Sequence, residues 1–172
     1  MRSPKRNLHD ENSLYDYAIG ALGRKMRTVA ELKRLLRNRC PEEALIERVI
    51  ARLKDQKYLN DSNYAATYAA FRRDNQKFGR RRVVTDLKVK GVHADVIDKA
   101  LDQAYSGVDQ LSLARAFLRR KRMKKPATNA EAARIFRALL RAGFEVSASI
   151  TVLKNWEVED EVLTALQEEA ES

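Results

Sequence analysis

Apolar residues recur along the chain at helical spacing. In the segment 42–56, Ile46, Val49, Ile50 and Leu53 fall at i, i+3, i+4 and i+7, the stripe that a half-buried helix turns toward a core. Ile97, Ala100, Leu101 and Ala104 repeat that spacing in the segment 94–105, at an offset of 51 residues. The same offset relates Leu32 and Leu36, in the stretch before the first stripe, to Val83 and Leu87. A third copy follows 53 residues later, with Phe136 and Leu140 matching Val83 and Leu87, and Ile150 and Leu153 matching Ile97 and Ala100. Each pair is preceded by a further amphipathic stretch: Leu14, Tyr17, Ala18 and Ala21, then Tyr64, Tyr68 and Phe71, then Leu111, Ala114, Phe117 and Leu118. Each repeat therefore reads as three helices.

Helix punctuation supports these boundaries. Thr28-x-x-Glu31 and Thr128-x-x-Glu131 have the form of capping boxes, and Gly79 occupies the position equivalent to Thr28. Gly91 and Gly143 follow the middle helices of repeats two and three, where a left-handed C-terminal cap favours glycine, and Pro41 opens the third helix of repeat one. The predicted helices are 13–25, 28–39, 42–56, 61–75, 80–90, 94–105, 108–124, 129–142 and 146–155, with an acidic tenth around 158–170. The expected fold is all-α: three tandem three-helix repeats stacked into an elongated curved array, with an extra C-terminal helix. The expected divisions are a mobile N-terminal segment 1–12, repeats 13–60, 61–106 and 107–156, and an acidic helix or tail 157–172.

Composition agrees with this pattern. Glycine and proline number only six and three, and 44% of residues are hydrophobic against 34% charged, a balance that folds without being greasy. No apolar run approaches the roughly 18 to 20 residues needed to span a bilayer, and the first residues lack the apolar stretch of a signal peptide. The expectation is a soluble cytoplasmic protein with no membrane contact. Cys40 is the sole cysteine, so no internal disulfide forms.

Charge changes the picture more than composition does. The net charge of +10 is unevenly spread: residues 145–172 hold eight acids and one base, leaving 33 bases and 16 acids, or +17, in residues 1–144. Such a field attracts nucleic acid or an acidic protein surface, and the alternative is a solvated face that only maintains solubility. Arg119, Arg120, Lys121, Arg122, Lys124 and Lys125 place six positive charges in seven residues at the end of a predicted helix. Arg80, Arg81 and Arg82 begin another, where positive charge opposes the helix dipole, and Lys88 and Lys90 lie further along it. Side chains placed against local stability point to a role elsewhere, and the arginine fork suits phosphate or carboxylate. These eleven residues form the candidate partner- and DNA-binding set.

Candidate chemistry is sparse. Gly20-x-x-Gly23 sits within a predicted helix with no strand before it, so it makes no phosphate loop. His9, His93 and Cys40 have no metal-ligand spacing, and a nucleophilic Cys40–His93 pair requires that folding bring them together. Glu42 and Glu43 stand at a helix start, where they meet the dipole. The expectation is a protein that is not an enzyme, with no catalytic residue, metal or cofactor.

One family resemblance emerges from these residues. Tyr58-Leu59-Asn60-Asp61 with Tyr64-Ala65 and Tyr68, then Phe78-Gly79-Arg80-Arg81-Arg82, Asp86-Leu87-x-x-Lys90-Gly91-Val92, and Val96-Ile97-x-x-Ala100-Leu101 resemble the RecX family of regulators of the RecA recombinase. Glu31-Leu32-x-x-Leu35-Leu36 adds to the match, which spans 14 to about 155 and is strongest over 28–105. The resemblance implies an array of three-helix units lying in the groove of the RecA–single-stranded-DNA filament, dampening ATP hydrolysis, strand exchange and the co-protease activity behind the SOS response. It implies no cofactor. Weak, sequence-indifferent binding to single- and double-stranded DNA accompanies that reading, and the alternative is a helical DNA-binding protein acting without RecA. The acidic tail and the Ala127-Thr128-Asn129-Ala130 linker depart from the family pattern.

Overall fold

The computed structural model describes residues 8–171, and all regular structure among them is helical. In chain order the helices are α1 (Glu11–Arg24), α2 (Val29–Arg37), α3 (Glu43–Asp55), α4 (Asp61–Gln76), α5 (Arg80–Val89), α6 (Ala94–Ala104), α7 (Gln110–Arg120), α8 (Asn129–Arg141), α9 (Val146–Lys154) and α10 (Asp160–Glu171). No described helix is long and apolar enough to cross a membrane. The expected mobile segment 1–12 lies outside the described residues up to residue 7; beyond it, the Leu8 amide donates to Arg39 O at 2.8 Å, and Asp10 caps α1 through the Ser13 amide.

The chain divides into two compact units, one comprising the described residues up to Ala65 with Leu87–Ile97, the other Ala66–Asp86 with the residues from Asp98 onward. In the first unit α1, α2 and α3 pack around Leu14, Leu32, Leu36, Ile46 and Leu53, all of them sealed from solvent. Each such side chain contributes roughly 1.5 to 3 kcal/mol on burial. In the second unit α9 packs against α7, α8 and α10, and Phe117 sits in tilted contact with Phe78 at 6.0 Å and Phe144 at 5.9 Å between ring centres. Leu163 and Leu166 bury the inner face of α10.

Each unit contains one joint between successive repeats, and both joints use the same positions. In the first, the Thr28 hydroxyl at the start of α2 donates to Lys90 O at 2.6 Å, Lys90 pairs with Glu31 at 3.1 Å, and Ala30 rests where a Cβ on Gly91 would stand. In the second, the amides of Gly79 and Arg81 at the start of α5 donate to the carbonyls of Ala142 and Gly143 after α8, at 2.8 and 3.3 Å. A Cβ on Gly79 would lie 2.3 Å from Gly143 O, so only glycine permits this approach. Thus the first turn of one middle helix meets the end of the middle helix one repeat later. The division between units consequently runs through α4, α5 and α6 rather than along repeat boundaries.

The third repeat keeps the pattern with a different register. Fourteen residues separate Thr28 from Glu42, the residues that precede α2 and α3, and Gly79 from His93, but seventeen separate Thr128 from Glu145. The three extra residues lengthen α8 by about one turn. Counting from the caps, Ala132 and Phe136 take the places of Leu32 and Leu36, and Ser149 and Leu153 those of Ile46 and Ile50. All of these are buried, whereas Leu140 and Ile150, expected at those places, are half-buried. Ser149 tolerates burial because its hydroxyl donates to Glu145 O at 2.9 Å. The two capping boxes differ as well. Thr28 and Glu31 exchange both bonds, but Glu131 accepts from the Ala127 amide at 2.8 Å instead of from Thr128. Phe71, expected in a core stripe, is 51% exposed.

Candidate interaction surface

Every arginine of the 80–82 cluster faces a carboxylate. Arg80 bonds Asp102 at 2.7 Å, Arg81 reaches Glu145, and Arg82 pairs with Asp86 at 3.1 Å. Asp86 is itself half-buried, ion-paired with Arg72 and accepting from the Tyr68 hydroxyl at 3.2 Å. Arg72 in turn lies 4.5 Å from the centre of the Phe78 ring. The charge that opposes the α5 dipole is therefore answered inside the second unit: three carboxylates and the negative end of α8 stand beside it. Its awkward placement in sequence has a structural cause.

Lys88 is exposed, while Lys90 is half-buried at the first joint. Burial alone would lower the Lys90 pKa, but its hydrogen bonds to Glu31 and Tyr64 outweigh burial and hold it above the usual lysine value. Lys90 thus secures the joint.

The second cluster is arranged differently. Helix α7 ends at Arg120, short of the expected 124, and Arg122 adopts left-handed backbone at φ 55° while Met123 N closes the helix onto Leu118 O at 2.9 Å. Ending the helix there spreads charges that a continued helix would stack on successive turns. Arg119, Arg120, Lys121, Arg122 and Lys124 are exposed, and Lys125 pairs with Glu157.

This segment forms one wall of an open trough of about 580 Å³, whose other wall is α8 with Arg134 and Arg141. Its floor includes Met123, Ile135 and Ala138. An adjoining hollow of about 330 Å³ shares Lys121, Met123, Ala138 and Arg141 with it and continues to Phe78, Arg82 and Phe117. Among the described residues no carboxylate lies within ion-pair distance of Lys121, Arg122, Lys124, Arg134 or Arg141. Arg134 and Arg141 were missed as site residues because they are dispersed in sequence. The signal was their seven-residue spacing, which with Arg137 makes a basic stripe on one face of α8. Arg137 is held by Glu169 of α10 through two bonds of 2.9 Å.

Cys40 is buried with its thiol toward Glu42 O, and His93 is exposed. No group of three or more potential metal ligands occurs among the described residues.

Tandem three-helix repeats, joined head to tail through their middle helices and carrying a basic trough, define a class of all-helical repeat proteins. Two family models match, the first three-helix domain of RecX over residues 15–53, α1–α3, and the second over 60–101, α4–α6. The chain belongs to the RecX family. The regulatory protein RecX of Chromobacterium violaceum is 33% identical over 82% of this chain and 89% of its own length. Those of Geobacillus thermodenitrificans and Bacillus subtilis are each 30% identical over 91% of this chain, covering 60% and 61% of their own lengths. The chain spans about 60% of the length of the first curated relatives it matches. The crystal structure of RecX from Lactobacillus salivarius shares the fold, with a TM-score of 0.68 at 23% identity over 86% of this chain and 96% of that one.

Proposed function

We propose that this protein binds the RecA–single-stranded-DNA filament and modulates RecA, most simply by inhibiting ATP hydrolysis, strand exchange and co-protease activity. The observation that carries this reading is the match to relatives named regulatory protein RecX over 82% to 91% of the chain, with both three-helix domains in order. The charge pattern supports it: an exposed basic segment at Arg119–Lys124 suits a partner whose surface combines acidic protein and phosphate. In this reading the protein works in the cytoplasm, without cofactor or catalytic residue of its own, and touches DNA weakly and without sequence preference.

The test is RecA ATPase on single-stranded DNA with this protein added in amounts too small to coat the DNA. Slowed turnover is the expected result; an effect only at coating amounts favours a DNA-binding protein that acts without RecA. Arg119→Glu with Arg122→Glu should raise the amount needed for half-inhibition while helicity and melting are kept, since exposed changes typically shift stability by less than about 0.5 kcal/mol. An equal reversal at Lys5 and Arg6, distant in sequence, is the control, and equal loss there means that only total charge matters. Reversal at Arg80 and Arg82 is a poorer probe, because it also breaks pairs with Asp102 and Asp86.

A further inference from the structure

We propose that the trough between the α7 exit segment and α8 is a binding site for single-stranded DNA in preference to duplex, with Arg134 and Arg141 as its inner phosphate contacts. The choice of DNA as the polymer rests on the filament reading; the site itself rests on geometry. Cations stand on both walls, Lys121, Arg122 and Lys124 on one and Arg134 and Arg141 on the other, and no described carboxylate lies within ion-pair distance of them. The one acid lining the trough, Glu131, accepts from the Ala127 amide at the start of α8; its charge offsets one of these five cations and leaves the lining net positive.

The floor decides the form of the ligand. Met123 and Ala138, half-buried over the buried Ile135, give an apolar surface beside the cations, and the trough runs on toward Phe78 and Phe117 through the shared residues Lys121, Met123, Ala138 and Arg141. A single strand can lay unstacked bases or sugars on that floor while its phosphates reach both walls. A duplex keeps its bases stacked inside and offers a stiff convex backbone, which meets the walls' outer edges only. An acidic peptide would satisfy the cations but leave its charge spacing and polar backbone against the apolar floor.

The experiment measures fluorescence anisotropy of labelled oligothymidylate of about 12 nucleotides, a duplex of equal length and a poly-glutamate peptide of equal charge, at about 50 mM salt with the full chain. No recombinase is present, so the outcome is independent of whether the protein regulates RecA. Arg134→Glu with Arg141→Glu should weaken oligothymidylate binding at least tenfold. Ala138→Leu, which fills the floor without altering charge, should weaken it severalfold and leave duplex affinity unchanged. The reference variant, Arg34→Glu with Lys54→Glu, alters exposed residues of α2 and α3 and should cost much less. Circular dichroism confirms that each variant is folded. Equal losses in the reference variant, an Ala138→Leu protein that binds as wild type, or a duplex bound as tightly as the single strand would each overturn the site. Poly-glutamate that displaces oligothymidylate at lower charge concentration would assign the trough to an acidic protein segment instead.

Discussion

At the scale of single residues, the glycines divide by what surrounds them. Gly143 has φ +90°, and a Cβ there would lie 2.2 Å from Arg82 N, while Gly107 has φ +66° in open space. Gly143→Ala is therefore expected to cost more than about 3 kcal/mol, against about 1 kcal/mol for Gly107→Ala, which carries backbone strain alone. Gly20, in the interior of α1 with nothing within 4 Å of where a methyl group would stand, behaves oppositely: Gly20→Ala should stabilise by about 0.5 to 1 kcal/mol. Urea denaturation of the three variants checks the order. Tyr105 is a second residue-scale case. Burial pushes its pKa up to about 12, and its hydroxyl donates to Phe78 O at 2.8 Å. A raised folded-state value means that this contribution is complete below pH 10 and is lost as pH rises from there through about 12. A spectroscopic alkaline titration should show a late-ionising tyrosine component, and Tyr105→Phe should remove it.

At the scale of elements, two helix starts with the same sequence signature have different weight. Thr28 is fully buried, its oxygen accepting from Glu31 N at 3.1 Å while its hydroxyl donates to Lys90 O; Thr128 is exposed and caps α8 only. Thr28→Ala should cost about 2 kcal/mol, since it removes the partner of the part-buried Lys90 carbonyl besides losing the cap, and Thr128→Ala about 1 kcal/mol or less. Thermal melts of the pair separate these values. Helix α10 packs on α9 and α8 with Leu163 and Leu166 buried, and the Glu169–Arg137 fork ties it to α8. The hydrogen bond with Arg137 holds the Glu169 pKa below the usual 4.5, so its stabilisation is present above that value and is lost as pH falls through the lowered one. Amide exchange in α10, corrected for intrinsic rates, should accelerate below about pH 4.5 before exchange in α9 does, and Glu169→Gln should remove that pH dependence.

At the scale of the whole molecule, the charge is uneven, and the proposed DNA contact should respond to salt accordingly. The bases of residues 1–144 outnumber the acids by 17, and the C-terminal acids reduce the total to +10. Affinity for DNA of any sequence is expected to fall tenfold or more between about 50 and 200 mM salt, as counterion release requires for several phosphate contacts. A salt titration with two unrelated sequences is the check: a flat response, or a strong difference between sequences, contradicts the electrostatic account. How much of this was legible beforehand differs by element. The helices of repeats one and two were readable because each stripe, such as Ile46, Val49, Ile50 and Leu53, has a period that only a helix can bury on one side. The third repeat was misregistered because α8 gains a turn, and an added turn preserves the apolar face while shifting every later match. The exposed basic run was readable as a cluster, whereas Arg134 and Arg141 were not, since a trough wall is assembled from residues on separate elements.

The sequence by itself determined the local choices: which segments are helical, where Gly91 and Gly143 end them, and that Arg119–Lys125 is too dense in charge to be ordinary helix surface. The first two follow from period, propensity and spacing within a turn or two; the role of the basic run is a proposal. Tertiary structure alone decided which cations face a carboxylate of this chain and which do not. Arg80, Arg81 and Arg82 meet Asp102, Glu145 and Asp86, and Lys90 meets Glu31 59 residues away, whereas no described acid reaches Arg134 or Arg141. The physical reason is that pairing depends on distances across packed helices, and Coulomb attraction, which decides whether a cation faces a carboxylate, falls with separation in space rather than along the chain.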